Sequence, residues 1–315
     1  AIAAMMSLLN VITDTGAITR KEYRDLLVIP GVAIHMDRSV NKGAELNPAV
    51  DLLPLLGCGK EPGTFRKLIA EAAGVREEHL LSTELFLYPR TKAVQTGLNG
   101  EFIVSPRLDD LQCVFGCLEG FLAAKPGGSL PVLAVFNNEE VGSNTRQGAD
   151  STFLTDVLER IAHGCGLDSE GWKAAVANSF MVSADNAHAI HPAHPEYADK
   201  GEFPVLGGGI VIKYNANQRY TTDAVSGAVF QAICQEAGVP VQRYSNRADL
   251  PGGSTLGNIS TAHLSVPTVD IGLPQLAMHS VCETAGAADT DYLVKAMTAY
   301  FSRDFHRDRD GGIVF

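Results

Sequence analysis

The chain has 315 residues, of which 45% are hydrophobic and 19% charged, so it can bury a substantial core as one large domain or two of moderate size. Its formal net charge of −11 argues against nucleic acid and anionic membranes as partners and is typical of a protein kept in solution by repulsion. No apolar run approaches the ~20 residues that a membrane helix needs.

The cysteines indicate a reducing compartment. They are scattered and include no Cys-x-x-Cys motif, which favours the cytoplasm over a secreted disulfide scaffold. Cys113 and Cys117 lie one helical turn apart on an apolar face and are expected to be core thiols. The apolar residues 1–9 lack a basic flank and a clear cleavage site, so they are not interpreted as a signal peptide. Because the first residue is Ala1, a fragment or a processed chain is expected.

Short apolar runs alternate with helical periods, a pattern typical of an α/β fold. A helix is predicted at 64–73, a strand at 84–87, and a further helix from Leu108 until Pro126 and two glycines stop it. Beyond it, helices are predicted at 151–161, 223–236 and 291–305, and strands at 179–184, 209–213, 239–244 and 268–271. The regular alternation begins after residue 98, which predicts one domain at 1–98 and a second at 99–315.

One more strand is predicted at 131–136. Its six residues, PVLAVF, form a short continuous apolar run, which indicates a strand buried on both faces. The paired carboxylates Glu139-Glu140 follow directly after this run.

Polar residues that a core would not select lie at the ends of these elements. They are Asp109-Asp110 at the start of a helix, Glu139-Glu140, Asp185 after the strand at 179–184, and His279 after the strand at 268–271. Because sites in open α/β sheets gather at the carboxyl ends of strands, these side chains are expected to converge. Carboxylate oxygens and imidazole nitrogens are zinc ligands, and one carboxylate can bridge two metals. In an adjacent Glu-Glu pair, one side chain can bind metal while the other acts as a general base.

Each of these features also has an ordinary structural explanation. Glu139-Glu140 could be a solvated helix start, and Asp109-Asp110 an N-terminal cap that complements the helix dipole. Asp185 could belong to a turn, and His279 could be a satisfied polar residue. Only the occurrence of these features together therefore indicates a metal site.

Seven ordered motifs, from about Tyr23 to the last helix, resemble the aspartyl aminopeptidase and aminopeptidase I family of dinuclear zinc peptidases. In chain order they are IPGVAIHMDR (29–38), RLDD (107–110), NEEVGS (138–143), SADNAHAIHP (183–192), VIKYNANQRY (211–220), GGSTLG (252–257) and AMHS (277–280).

The resemblance implies a role for each matching residue. Asp109 would bridge two zinc ions, Glu140 and Asp185 would each bind one, and His279 would complete the coordination. Glu139 would be the general base. The expected reaction is removal of an N-terminal residue from peptides, preferably Asp or Glu.

Three further residues would contact substrate. His188 would lie near the reacting carbonyl, and Lys213 would receive the acidic side chain of the substrate. The alternative for Lys213 is a strand-end lysine that points to water. His35 would reach toward the active site of a neighbouring subunit.

The family resemblance also implies an architecture. The expected fold is a three-layer α/β sandwich with a central mixed sheet, to which part of an inserted dimerisation domain is added at 1–98. A tetrahedral dodecamer built from dimers is expected, with peptides as substrates and no nucleic-acid or membrane partner.

The sequence departs from the family pattern in one important respect. The family's first metal ligand, a histidine two residues before an aspartate, has no counterpart that we identify, and residues 1–20 match nothing in the family. His35-Met36-Asp37 has this spacing, but its context matches the neighbour-contacting motif. The catalytic domain is therefore expected to be incomplete, and two alternatives stay open: a non-catalytic assembly subunit or inactive fragment, and the same chemistry with preference for a neutral residue such as Leu. Asp110 and Asn137 are smaller departures, since Asn and Asp respectively are usual there.

Overall fold

The computed structural model describes residues 2–13, 18–43, 45–59, 61–125, 127–250 and 252–315, with side chains from residue 26 onward except that of Val40. The chain divides into two compact units, Ala1–Lys92 and Ala93–Phe315. The predicted boundary at residue 98 lies farther along the chain. The two differ because a short strand, Val94–Thr96, pairs with a strand of the second unit.

The first unit is built on a three-stranded antiparallel sheet. Its elements are β1 (Ile2–Thr13), β2 (Ile18–Ile29), α1 (Thr64–Ala73) and β3 (Leu80–Pro89), with strand order β2-β1-β3. Glycines flank α1, and Gly74 takes the left-handed conformation, with φ of 70°, that commonly ends a helix. The helix has the predicted bounds, and the predicted strand at 84–87 lies inside the longer β3.

The second unit alternates strands and helices. In chain order its elements are β4 (Val94–Thr96), β5 (Phe102–Ser105), α2 (Leu108–Ala123), α3 (Phe153–Gly164), α4 (Ser169–Ala177), β6 (Met181–Ala184), β7 (Ala187–His188), β8 (Ile210–Tyr214), α5 (Ala224–Glu236), β9 (Val241–Ser245), α6 (Leu256–His263), β10 (Thr268–Gly272), β11 (Pro274–Leu276), β12 (Glu283–Gly286), α7 (Ala287–Phe301), β13 (His306–Arg307) and β14 (Ile313–Val314). The predicted stop at Pro126 lies outside the described residues, and α2 ends before it. None of the described helices combines the length and the hydropathy needed to cross a membrane.

Two sheets dominate the second unit. The first has the order β6-β10-β8-β9, in which β10 runs parallel to β6 and antiparallel to β8, and β8 runs parallel to β9. The second has the order β4-β5-β12-β11-β7 and is antiparallel except between β11 and β7. Because β6 and β10 are parallel neighbours in the sheet, the segments that follow them lie side by side. The predicted α/β class with mixed sheets is confirmed.

Helices cover both faces of the four-stranded sheet. Val269 and Ile271 of β10 point into the main core, where Phe230 of α5 and Leu293 of α7 are fully buried. Asp270 lies between them and therefore points to the opposite face. There it accepts a hydrogen bond of 2.9 Å from the Thr255 hydroxyl, immediately before α6. The arrangement is the predicted three-layer α/β sandwich.

The prediction of a buried strand at 131–136 is wrong. None of these residues is in a strand, and Val132 and Val135 are 42% and 55% exposed. A strand needs a neighbour that accepts and donates backbone hydrogen bonds, and no described strand pairs with this segment. An apolar segment is buried only where a neighbouring element covers it.

Candidate metal centre

Asp109 enters the site at the irregular start of α2. Its backbone angles are not helical, with φ of −81° and ψ of 111°, and Arg107 occupies the N-cap position, so the capping interpretation of the acidic pair does not hold. The N–H of Asp109 donates to Glu283 Oε2 at 3.1 Å. The Asp109 side chain is only 7% exposed, so it is more enclosed than that of Glu140, the other acid that contacts His279.

Glu139 and Glu140 lie in a tight turn that follows the apolar segment 131–136. Asn138 takes a positive φ of 60°, and the turn closes through the Ser143 N–H, which donates to the Asn138 carbonyl at 2.9 Å. A Cβ on Gly148 would lie 2.0 Å from the Ser143 carbonyl oxygen, so only glycine allows the loop to fold back there. The turn leaves Glu139 half-buried and Glu140 exposed, so the pair is not a helix start.

Asp185 follows β6, as predicted. Its N–H donates to the Ile271 carbonyl at 3.1 Å, which continues the pairing of β6 with β10 past the end of the strand. A Cβ on Gly272 would lie 2.1 Å from the Asp185 carbonyl oxygen, so glycine is required for this close approach. The next residue, Asn186, is buried and donates to Gln112 Oε1 at 2.9 Å, which ties the segment to α2.

His279 lies in the loop between β11 and β12. Its φ is 66°, a left-handed conformation that is uncommon for residues other than glycine. The imidazole Nε2 is 3.1 Å from Asp109 Oδ2 and 3.2 Å from Glu140 Oε2. Three predicted ligands from three separate parts of the chain therefore meet at one point.

The acidic side chains and His279 form two overlapping groups with the spacing of metal ligands. Asp109, Glu140 and His279 offer atoms within 4.8 Å of one another, and so do Asp109, Asp110 and Asp185. Asp109 belongs to both groups, which is the arrangement that a bridging carboxylate requires. Asp110 was not predicted as a ligand, and its Oδ1 is buried without a hydrogen-bond partner in the described part of the chain.

The electrostatics of the cluster fit a divalent cation. Burial, followed by the nearby charges of Asp185 and Glu140, raises the pKa of Asp109 to about 8. Burial and the charge of Asp185 raise the pKa of Asp110 well above its usual range, and burial also raises that of Glu139. Carboxylates crowded in this way are stabilised in their charged form by a metal ion, and an oxygen- and nitrogen-donor set suits zinc.

Lys213 lies at the edge of the cluster and is buried. Its Nζ donates to the Asn186 carbonyl at 2.7 Å, lies 3.7 Å from Asp185 Oδ2, and stands 5.5 Å from the centre of the Tyr220 ring. The alternative that this lysine points to water is therefore wrong, because only 2% of the residue is exposed.

The other two predicted substrate contacts occupy different surroundings. His188 ends β7, and its ring lies 6.2 Å from that of Tyr244. Partial desolvation, and then the charge of Lys213, lower the pKa of the His188 imidazole. His35 lies in the first unit, in an exposed turn.

Glu283 is a site residue that the sequence did not suggest. It is 2% exposed, and its two carboxylate oxygens accept the backbone N–H groups of Asp109 and His279. No local pattern marks this role, because one of its partners is 174 positions away in the chain.

Comparison with known proteins identifies a family that matches most of the chain. The model of the aminopeptidase I zinc metalloprotease (M18) family matches residues 10–301, so the expectation that residues 1–20 match nothing in the family is wrong for residues 10–20. A probable M18 family aminopeptidase 2 of Clostridium acetobutylicum is 45% identical over 283 residues, which cover 89% of this chain and 65% of that protein. A protein of the same description from Mycobacterium leprae is 38% identical over 279 residues, with the same two coverages.

Solved structures share the fold. The structure of the Ape4 and Nbr1 complex superimposes with a TM-score of 0.84 at 32% sequence identity, covering 95% of this chain and 63% of the other. That of prApe1 gives a TM-score of 0.82 at 25% identity, covering 94% and 68%. The chain thus spans about two thirds of the length of its relatives.

Proposed function

Because the chain belongs to the aminopeptidase I zinc metalloprotease (M18) family, we propose that it acts in a zinc-dependent aminopeptidase that removes the N-terminal residue of peptides. The observation that carries this proposal is the convergence of Asp109, Glu140 and His279 within ligand distance, with Glu139 adjacent in the same turn. The chain spans 65% of its curated relatives, so the activity is proposed for the whole protein to which these residues belong.

The chain's own groups divide the work. Asp109, Glu140, Asp185 and His279 would hold zinc, which when bound polarises a carbonyl and lowers the pKa of water. Glu139 stays outside the ligand groups and would take a proton from the attacking water and deliver it to the leaving amine. Its half-buried position, which raises its pKa, suits a carboxylate that must hold a proton briefly. His188, whose pKa is lowered by burial and by the charge of Lys213, would contact the substrate next to the reacting carbonyl.

We propose two zinc ions per complete site. The support is that Asp109 belongs to both groups of ligand-forming side chains, one with Glu140 and His279 and one with Asp110 and Asp185. Asp110 joins the second group, although the family resemblance gives it no ligand role.

A direct experiment compares free and blocked peptides. The purified whole protein, loaded with zinc, should release the first residue of a peptide with a free amino group, and should leave the N-acetylated form of the same peptide intact. A chelator should abolish the release, and added zinc should restore it. Cleavage of the acetylated peptide, or activity that survives chelation, would contradict the proposal.

Preference for an acidic N-terminal residue is the finer part of the proposal. Lys213 matches the position that receives an acidic side chain in the aspartyl-specific branch of the family. The alternative is a neutral specificity. It is supported by the burial of Lys213 and by its hydrogen bond to the Asn186 carbonyl, and a substrate carboxylate would have to compete with Asp185 for this cation. Cleavage rates on matched peptides that begin with Asp, Glu or Leu separate the two specificities. Acidic preference requires the Asp and Glu peptides to be cleaved faster than the Leu peptide.

We also propose that the catalytic unit is incomplete within these 315 residues. The apolar segment 131–136 borders a cavity of about 910 Å³ whose wall continues along α2, α3, α4 and α7 and reaches Glu139 and Asp185. Leu111 and Phe115 on α2 are 58% and 52% exposed. Exposed apolar side chains beside such a cavity are typical of a surface that packs against other polypeptide, and the chain spans 65% of its curated relatives, so this surface would pack against polypeptide outside this sequence. The alternative of an inactive fragment rests on the same exposed surface. Zinc content separates the two, because bound zinc supports a catalytic unit and its absence supports an inactive fragment.

Assembly and location complete the proposal. A tetrahedral dodecamer built from dimers is proposed, with 1–98 contributing to the dimer contact and His35 reaching a neighbouring copy; a solved mApe1 structure with a TM-score of 0.73 at 24% identity is described as a dodecamer. A cytoplasmic location is proposed because all six cysteines, each among the described residues, are unpaired. Light scattering of the purified protein tests the assembly.

A further inference from the structure

Glu283 joins the main chains of two candidate ligands. Its Oε2 accepts the N–H of Asp109 at 3.1 Å, and its Oε1 accepts the N–H of His279 at 2.7 Å. The side chains of the same two residues meet on the other side, with 3.1 Å between Asp109 Oδ2 and His279 Nε2. The Glu283 carboxylate thus links the backbones of two residues that are far apart in the sequence and whose side chains contact each other.

The position of Glu283 is fixed by the sheet. It is the first residue of β12 and pairs with Ser105 of β5, just before the segment that leads into α2. It is 2% exposed, and both of its oxygens are satisfied by backbone donors. It is absent from both groups of ligand-forming side chains, so it holds the ligands without being one.

Both amides that Glu283 accepts need an external partner. Asp109 has non-helical backbone angles at the start of α2, and its N–H has no place in the helix ladder. His279 has a φ of 66°, a strained conformation for a side chain with a Cβ, which persists only where surrounding contacts hold it. Each amide donates a charge-assisted hydrogen bond to the Glu283 carboxylate, which stabilises these two conformations.

We propose that Glu283 is a positioning residue that sets the distance between Asp109 and His279 and thereby the affinity of the site for zinc. The inference rests on the proposed function, because it takes these two residues to be metal ligands. Metal sites tolerate only small errors in ligand distance, and removing a group that orients the ligands commonly weakens binding 10–100-fold.

The chain contains a matched control. Asp289 is also a fully buried carboxylate near the start of α7, and it also accepts two backbone N–H groups, those of Gly207 at 2.8 Å and Gly209 at 2.9 Å. Neither glycine is a candidate ligand. Glu283→Gln and Asp289→Asn therefore make the same chemical change, the loss of one buried anionic acceptor, at positions that differ in whether ligands depend on it.

The test measures zinc affinity by competition with a chromophoric chelator, the visible spectrum of the cobalt-substituted protein, and thermal unfolding of the metal-free protein. Glu283→Gln should raise the zinc dissociation constant about 10–100-fold and alter the cobalt spectrum. Asp289→Asn should leave the zinc affinity and the cobalt spectrum unchanged, even if its unfolding temperature falls as much as that of Glu283→Gln. Equal zinc affinities in the wild type and Glu283→Gln would overturn the proposal.

Two further measurements keep the outcomes distinct. If Glu283→Gln does not fold, Glu283→Asp keeps the charge but shortens the reach, and it should weaken zinc binding while folding; wild-type affinity in Glu283→Asp would count against positioning. A whole protein, with the polypeptide outside these 315 residues included, that binds zinc but releases no N-terminal residue would refute the aminopeptidase and leave the Glu283 comparison standing. A wild-type protein that takes up no zinc would overturn both.

Discussion

Lys213 and Asp185 form a buried pair at the edge of the acidic cluster, with 3.7 Å between Nζ and Oδ2 and with side chains only 3% and 15% exposed. The same Nζ donates to the carbonyl of Asn186, so the lysine contacts two consecutive residues after β6. It also lowers the pKa of Asp109, opposing the larger effect of burial. Lys213 therefore offsets part of the negative charge that the carboxylates bring together.

Replacing Lys213 by methionine should destabilise the metal-free protein. The aliphatic stem would be kept, but Asp185 would lose its cation, and removing one partner of a buried pair commonly costs about 3–5 kcal/mol. Urea unfolding in the presence of a chelator measures the change. Lys295, which is exposed and lies over the Tyr292 ring, provides the control, and Lys295→Met should change the unfolding free energy by less than about 0.5 kcal/mol.

The same variant addresses specificity. If Lys213 receives an acidic substrate side chain, Lys213→Met should lower kcat/KM for Asp- and Glu-terminated peptides far more than for a Leu-terminated one. An equal loss for all three would mean that the lysine serves the charge balance of the cluster, and its assignment to substrate recognition would be wrong.

Replacing Glu139 by glutamine should separate catalysis from metal binding. Glutamine has the same shape but cannot accept the proton of the attacking water, so kcat should fall about 10²–10⁴-fold. Zinc content should stay at the wild-type value, because Glu139 lies outside both ligand groups. Activity measurements paired with metal analysis of the same samples give the answer.

Glu140→Gln is the natural counterpart, since it changes the neighbouring residue in the same turn. Its carboxylate lies 3.2 Å from His279 Nε2, so this variant should lose zinc affinity as well as activity. If Glu139→Gln kept full turnover, or if Glu140→Gln bound zinc normally, the roles of the two residues would have to be reassigned.

Predictions from sequence succeeded where the deciding contacts are local. The helix α1 has the predicted bounds because glycines mark both of its ends. Asp185 follows β6 as expected, because the mostly apolar residues 179–184 define that strand and the polar residues after it define its end. Asp109, Glu140 and His279 meet as expected, but the rule that strand ends gather at one edge of the sheet does not explain it, because Glu140 directly follows no described strand and Asp109 begins a helix.

Predictions failed where the outcome depends on distant neighbours. The apolar run at 131–136 has the composition of a buried strand, but none of the described strands pairs with it. Glu283 carries no local signal, since its burial depends on the pairing of β12 with β5 and its partners lie in two other segments. Lys213 is buried because Asp185 and Asn186 lie beside it, a fact that spacing along the chain does not contain.

Removing His279 should remove zinc without unfolding the protein. The side chain is 62% exposed, so His279→Ala leaves no cavity in the core, but it takes away a nitrogen ligand from the Asp109 and Glu140 group. Zinc should stabilise the wild type against heat in proportion to the logarithm of its concentration, and should stabilise the variant much less. Thermal unfolding over a series of zinc concentrations measures this difference.

His263 provides the control for that experiment. It forms a 2.8 Å ion pair with Asp150 and belongs to neither ligand group. His263→Ala should retain the zinc-dependent stabilisation of the wild type. Loss of stabilisation in both variants would show that the effect is not specific to the cluster.

Asp289 should make stability depend on pH in a defined window. Burial raises the pKa of its carboxyl to about 6 in the folded protein, although the N–H groups of Gly207 and Gly209 oppose the shift. The folded state therefore binds this proton more tightly than the unfolded state, whose carboxyl has a pKa near 3.8. The resulting stabilisation is complete below about pH 4 and is lost as the pH rises through about 6, by roughly 3 kcal/mol in all.

Asp289→Asn isolates this contribution, because asparagine does not titrate and the other groups are common to both proteins. The unfolding free energy of the wild type minus that of the variant should fall by roughly 3 kcal/mol between pH 4 and pH 7, with most of the change below pH 6. Denaturant unfolding at several pH values, with chelator present throughout, measures the difference directly. A difference that stays constant over this range would mean that Asp289 is ionised at low pH in the folded protein, and that its two backbone donors outweigh its burial.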